Sequence, residues 1–66
     1  MKNQILDILR EYPTGLRLRS IGARRGVWHI KLVGVICELE NEGLVYSTPY
    51  RDMANMEFYD IWKIRD

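Results

Sequence analysis

Ser20-Ile21-Gly22-Ala23-Arg24-Arg25-Gly26-Val27, followed by Leu32-Val33-Gly34-Val35-Ile36-Cys37-Glu38-Leu39, decides the fold of this chain. Leu32, Val35, Ile36 and Leu39 fall at i, i+3, i+4 and i+7, which makes one apolar stripe along a helix. Gly22 has no side chain, so a neighbouring helix can approach closely there. Gly26 suits the left-handed position that follows a helix end, after which Val27 tucks back into the core. The interval Leu16 to Val45 therefore predicts two helices, about 19–25 and 29–42, joined by a tight turn. The second stops at Gly43. That arrangement is a helix-turn-helix.

Upstream, Ile5, Ile8, Leu9 and Tyr12 repeat the same spacing, and Leu6 broadens the stripe. This predicts a first helix over about 2–12, ended by Pro13, which pushes the preceding residue out of helical geometry. After the Thr14-Gly15 turn, Leu16 and Leu18 are core candidates in a short strand-like segment. Downstream of Gly43 the period changes. Leu44-Val45-Tyr46-Ser47-Thr48 is rich in β-formers and is expected to end at Pro49. Glu57 to Ile64 reads as a second strand with Phe58, Trp62 and Ile64 on one face and Tyr59, Ile61 and Lys63 on the other. Phe58 and Trp62 are expected to anchor the hairpin to the core. The interval 50–56 becomes its loop, tipped by Arg51, Asp52 and Asn55. The expected fold class is α+β, three helices followed by a two-stranded β-hairpin.

The helix around Ile36 has weak ends of its own. Trp28 cannot accept the capping hydrogen bond that Ser, Thr, Asp or Asn would. Glu38, Glu40 and Glu42 crowd the negative end of the helix dipole. Packing, more than propensity, is expected to hold this helix.

Composition sets the outer limits. The 66 residues are read as one domain, 1–66, whose core supplies only a few kcal/mol of net stability. A hydrophobic fraction of 47% argues against disorder. No apolar run approaches the roughly 18 residues of a membrane span, so no membrane partner is expected. Met1-Lys2-Asn3-Gln4 opens into an amphipathic pattern rather than a signal-peptide core, and a cytoplasmic location is expected.

Chemistry-bearing residues are few. Cys37 is the single cysteine and His29 the single histidine, too few for an internal disulfide or a zinc site. Ser20, Ser47, Thr14 and Thr48 share one histidine and show no triad or activating base. Gly22, Gly26, Gly34 and Gly43 are spaced for packing and turns, not for cradling phosphate. Neither an enzyme, a metal nor a cofactor is expected. Tyr46, Tyr50 and Tyr59 show no stacking platform in the sequence.

The net charge of +1 hides an uneven distribution. Between Glu11 and Glu38 the chain has no carboxylate, while Arg17, Arg19, Arg24, Arg25 and Lys31 all lie in that interval. Glu38, Glu40 and Glu42 follow, and Glu57, Asp60 and Asp66 gather toward the end. A basic face and an acidic face are expected.

Gly26-Val27, the following helix and Leu39-Glu40-Asn41-Glu42-Gly43-Leu44-Val45 resemble the bacterial winged helix-turn-helix pattern, over nearly the whole chain from Lys2 to Ile64. Within it, Met1-Lys2-Asn3, Ile5-Leu6, Glu42-Gly43 and the run from Ser47-Thr48-Pro49 through Arg51, Met53 and Ala54 to Trp62 resemble very small pilus-operon regulators. Ile61-Trp62-Lys63-Ile64 is also similar to Z-form nucleic-acid binders. Those rely on an Asn and a Tyr where this chain has Val33 and Cys37, which argues against that activity.

The superfamily resemblance implies a small regulator with its third helix in the major groove of duplex DNA and its hairpin wing on backbone or minor groove. Trp28, His29, Ile30, Lys31, Val33, Gly34 and Cys37 would then form the exposed face of the recognition helix. Arg17, Arg19, Arg24, Arg25 and Lys31 would contact phosphates, His29 and Lys31 would reach base edges, and Arg51 would act from the wing. The face departs from the usual pattern, because base readers normally offer Arg, Lys, Asn, Gln, Ser or Thr. Its apolar character supports a second expectation, a protein-interaction module or homodimer using Trp28, Ile30 and Val33.

Overall fold

The computed structural model describes residues 1–65. In chain order it forms α1 (Lys2–Glu11), β1 (Leu16–Arg17), α2 (Leu18–Arg25), a 3-10 turn (His29–Leu32), α3 (Val33–Asn41), β2 (Val45–Asp52) and β3 (Glu57–Ile64). The fold is α+β, with three α-helices and one antiparallel sheet of order β1-β3-β2. The expected hairpin is the β2–β3 pair, running from Val45 opposite Ile64 to Asp52 opposite Glu57. A third strand joins it: Leu16 pairs with Trp62 and Arg17 with Ile61. The sheet therefore has three strands where the hairpin alone would give two.

The core is apolar throughout. Ile5, Leu6 and Leu9 of α1, Ile21 of α2, Leu32, Ile36 and Leu39, and Val45 of β2 are all buried. Leu16, Leu18, Val27, Val35, Trp62 and Ile64 pack against them. Strand alternation puts Leu16, Val45, Trp62 and Ile64 on one sheet face, and the helices cover that face. Tyr46, Tyr50, Tyr59, Ile61 and Lys63 alternate onto the other.

Two glycines close their helices by the same device. Gly26 (φ 65°) and Gly43 (φ 77°) take the left-handed conformation that a Cβ disfavours. The next amide then reaches five residues back, Val27 to Gly22 at 2.9 Å and Leu44 to Leu39 at 3.0 Å. These are Schellman closures, and they aim the chain away from α2 and α3. Gly22 has a different role. A Cβ there would lie 2.6 Å from the Val27 carbonyl oxygen and 3.1 Å from the His29 nitrogen, so the chain after α2 lies directly on the helix backbone.

Several sequence-based boundaries are corrected. The expected helix 29–42 is a 3-10 turn followed by α3, because Trp28 offers no side-chain cap. Its first amides instead take i→i+3 bonds, with Lys31 bonded to the Trp28 carbonyl at 2.9 Å. Pro49 does not end β2; it pairs with Asp60 on an edge strand, where its missing N–H is tolerated. The hairpin loop is accordingly shorter than 50–56, lying between Asp52 and Glu57.

Phe58 does not anchor the hairpin. It is 64% exposed, because β2 and β3 run on past the helices, whereas Trp62, nearer the core end, packs inward. The acidic end of α3 is answered from α1: Lys2 Nζ bridges Glu42 and Glu38, the latter at 3.0 Å.

Candidate nucleic-acid interface

α2, the 3-10 turn and the β2–β3 hairpin enclose three shallow depressions that share walls. The first is lined by Arg19, Gly22, Ala23, Gly26, Val27, Trp28 and His29. The second, of about 390 Å³, lies between the start of α2, the outer face of α3 and β3, with Arg17, Arg19, His29, Val33, Cys37, Tyr59, Asp60 and Trp62 among its walls. The third sits on the hairpin between Pro49-Tyr50-Arg51 and Phe58-Tyr59-Asp60. Arg19 and His29 are common to the first two, and Tyr59 and Asp60 to the last two. The three adjoin as a shallow, interrupted trough from Trp28 to Arg51, its last two parts meeting across β3, where Tyr59 and Asp60 alternate onto opposite faces.

The charge lining this trough is one-sided. Arg17, Arg19 and Arg51 line it with His29, and among the described residues Asp60 is its single carboxylate. Apart from Asp60, and Glu57 beside Arg17, the charged groups here are cations, and they lie next to the exposed apolar start of the 3-10 turn.

Local structure holds these cations differently. Arg17 precedes α2; its guanidinium carbon lies 4.9 Å from the Tyr59 ring centroid, and it donates to Glu57 at 3.4 Å. Arg51 lies over the Phe58 ring at 5.6 Å, and Arg51 and Phe58 are paired across the hairpin. Arg19 is exposed at the start of α2. Trp28 and His29 tilt together with centroids 6.2 Å apart.

Of the residues singled out by sequence, Arg17, Arg19, Trp28, His29, Val33 and Arg51 meet in the trough. Arg24, Arg25, Ile30, Lys31 and Gly34 do not line it. Arg24 is directed back to α1, donating to the Tyr12 hydroxyl at 2.9 Å with its guanidinium carbon 4.4 Å from that ring centroid. Arg25 is half-buried, and its Nε is buried without a hydrogen-bond partner among the described residues. Ile30, Lys31 and Gly34 are exposed on the outer side of the same helical segment.

Sequence reading missed Asp60, Tyr59 and Pro49 as trough residues. Alternation was the available signal: Asp60 shares parity with Phe58 and Trp62, so a strand over 57–64 carries it to their face.

No helix among the described residues is long and apolar enough to cross a membrane. Comparison of the chain with protein-family models, curated proteins and solved structures finds no match.

Proposed function

We propose that this chain is a winged helix-turn-helix DNA-binding regulator, with the segment from Trp28 through α3 at the duplex and the β2–β3 hairpin as its wing. The observation that supports this reading is the run of adjoining depressions lined by Arg17, Arg19 and Arg51, with Asp60 the single carboxylate in their walls among the described residues and Glu57 paired with Arg17. Arg19 and Arg51 contact phosphates directly, and Arg17 does so by exchanging Glu57 for a phosphate oxygen. Lys31, exposed in the same turn as Trp28, extends the backbone contacts, and Arg24 does so on leaving Tyr12. His29, at the start of the helix, is the polar group nearest the bases.

Titration of a labelled random duplex at two salt concentrations tests the reading. Affinity should fall steeply between about 50 and 200 mM salt, as counterion release requires. Binding that is absent or indifferent to salt would sink it.

A second reading is favoured by a specific observation. Trp28, Ile30 and Val33 are exposed together on one helix start, the kind of patch that marks a protein-interaction or dimerisation surface. A concentration-dependent dimer in sedimentation experiments, abolished by Trp28→Ala, would support that module instead.

A further inference from the structure

Trp28 is 70% exposed and Ile30 69%, the most exposed large apolar side chains outside the hairpin. They stand at the start of the 3-10 turn, which brings Lys31 into the same turn as Trp28 through the 2.9 Å bond between the Lys31 amide and the Trp28 carbonyl. Arg19 and His29 share the depression that Trp28 lines, and no carboxylate lines that depression. The surroundings of this apolar point are therefore cationic.

Charge decides which occupant fits. A two-fold self-association places each patch against its own copy. Lys31 and Arg19 would then face like charges, with Asp60, which shares a depression with Arg19, the one carboxylate in the walls among the described residues. A DNA duplex supplies phosphates to the cations and stacked, largely apolar base faces to the Trp and Ile side chains. The exposed face of α3 nearest this point, Val33, Gly34 and Cys37, carries none of the amide or guanidinium groups that read base edges; the first amide, Asn41, stands at the far end of the helix.

We propose that Trp28 and Ile30 form a wedge that enters a base step of the duplex, so that the protein kinks its DNA and selects sites by deformability rather than base sequence. The proposal rests on the DNA-binding reading above and names how that site discriminates. Apolar side chains inserted between base pairs partly unstack them and bend the duplex, and the bend brings more phosphates onto the protein. Pyrimidine–purine steps open most readily, whereas A-tracts are stiff. Isoleucine is among the residues that other proteins insert in this way, and the indole of Trp28 adds a stacking face.

The test uses the whole chain and two end-labelled duplexes, one with a central TA step and one an uninterrupted A-tract. Energy transfer reports the bend, anisotropy reports the affinity, and 2-aminopurine beside the TA step reports unstacking. The wild-type chain should bend the TA duplex, raise the 2-aminopurine signal and prefer that duplex by on the order of tenfold. Trp28→Ala combined with Ile30→Ala should leave the fold intact, both side chains being exposed, and should bind both duplexes alike and unbent, with a salt dependence that is still present but shallower. Trp28→Phe should keep the bend. A wild-type complex that is straight, or a double variant that bends the DNA as the wild type does, overturns the wedge while leaving DNA binding in place. Salt-sensitive binding absent from both duplexes removes the DNA reading itself.

Discussion

Arg17 holds its guanidinium carbon 4.9 Å from the ring centroid of Tyr59, so a cation from the start of α2 is seated on the hairpin. The same guanidinium donates to Glu57 at 3.4 Å, across a largely exposed pair. Such pairs contribute about 0.2–1 kcal/mol, little enough for an incoming phosphate to displace the carboxylate. Glu57→Gln should therefore strengthen duplex binding by about 1.4- to fivefold, the equivalent of that range. Arg17→Ala should weaken binding and flatten its salt dependence by about one phosphate contact. Anisotropy titrations across a salt series check both.

Gly22 and Gly34 make opposite predictions for the same substitution. Alanine at Gly22 forces a Cβ to within 2.6 Å of the Val27 carbonyl oxygen, so either α2 or the following turn must move. Overpacking of this kind costs roughly 1–3 kcal/mol, partly offset by better helix propensity. The melting temperature should fall by several degrees, at about 4–8 °C per kcal/mol for a domain of this size. Thermal melts followed by circular dichroism measure it.

Gly34 has nothing within 4 Å of where its Cβ would stand, and it lies inside α3. Gly34→Ala should raise stability by about 0.5–1 kcal/mol. If α3 lies close to DNA, the same methyl should weaken binding. A variant that is more stable yet binds less well would separate the two effects, whereas unchanged affinity would place the duplex away from this face.

The hairpin tip has its own pH dependence. Asp52 accepts hydrogen bonds from the Asn55 side chain at 2.9 Å and from the Asn55 backbone amide at 3.3 Å. These hold the carboxyl below its ordinary value of 3.8. A depressed acid stabilises the folded turn above its unfolded value and loses that contribution as pH falls through the folded one. Amide exchange and shifts at Asn55 should thus be steady above about pH 4 and change only in stronger acid. Asp52→Asn should remove the transition.

Lys2 is shifted upward from 10.5, first by its hydrogen bond to Glu42 and then by Glu38. The lysine's charge in this tie between α1 and α3 is complete below that value and is lost only as the pH rises above it. Stability between pH 6 and 9 should accordingly be indifferent to Lys2 titration, and Lys2→Met should abolish any loss specific to strong alkali. Denaturant midpoints across pH measure this.

The helical half was legible because its signals are local. The Leu32–Leu39 stripe, the Ile5–Leu9 stripe and the glycines at 26 and 43 each carry their cause within a few residues, and the structure uses all of them. The hairpin was less legible. Phe58 has the core parity of Trp62, but parity says nothing of how far the helices reach along the strands. Pro49 looks like a terminator until β2 is known to lie at an edge. The trough was half visible: the arginines could be listed, but Arg24 turning to Tyr12 and Arg17 to Tyr59 depend on contacts between residues distant in the chain.

The placement of Pro49 has a last consequence, for how this chain behaves among copies of itself. β2 is an outer strand, and an outer strand can recruit a neighbour by main-chain pairing. Proline midway along it interrupts the row of donors that such recruitment needs, and the exposed Arg51 beside it adds repulsion between copies. Pro49→Val would leave the hairpin intact and turn its border into an unbroken template. The proline that sequence rules read as the end of a strand instead breaks the outer edge along which another copy would pair.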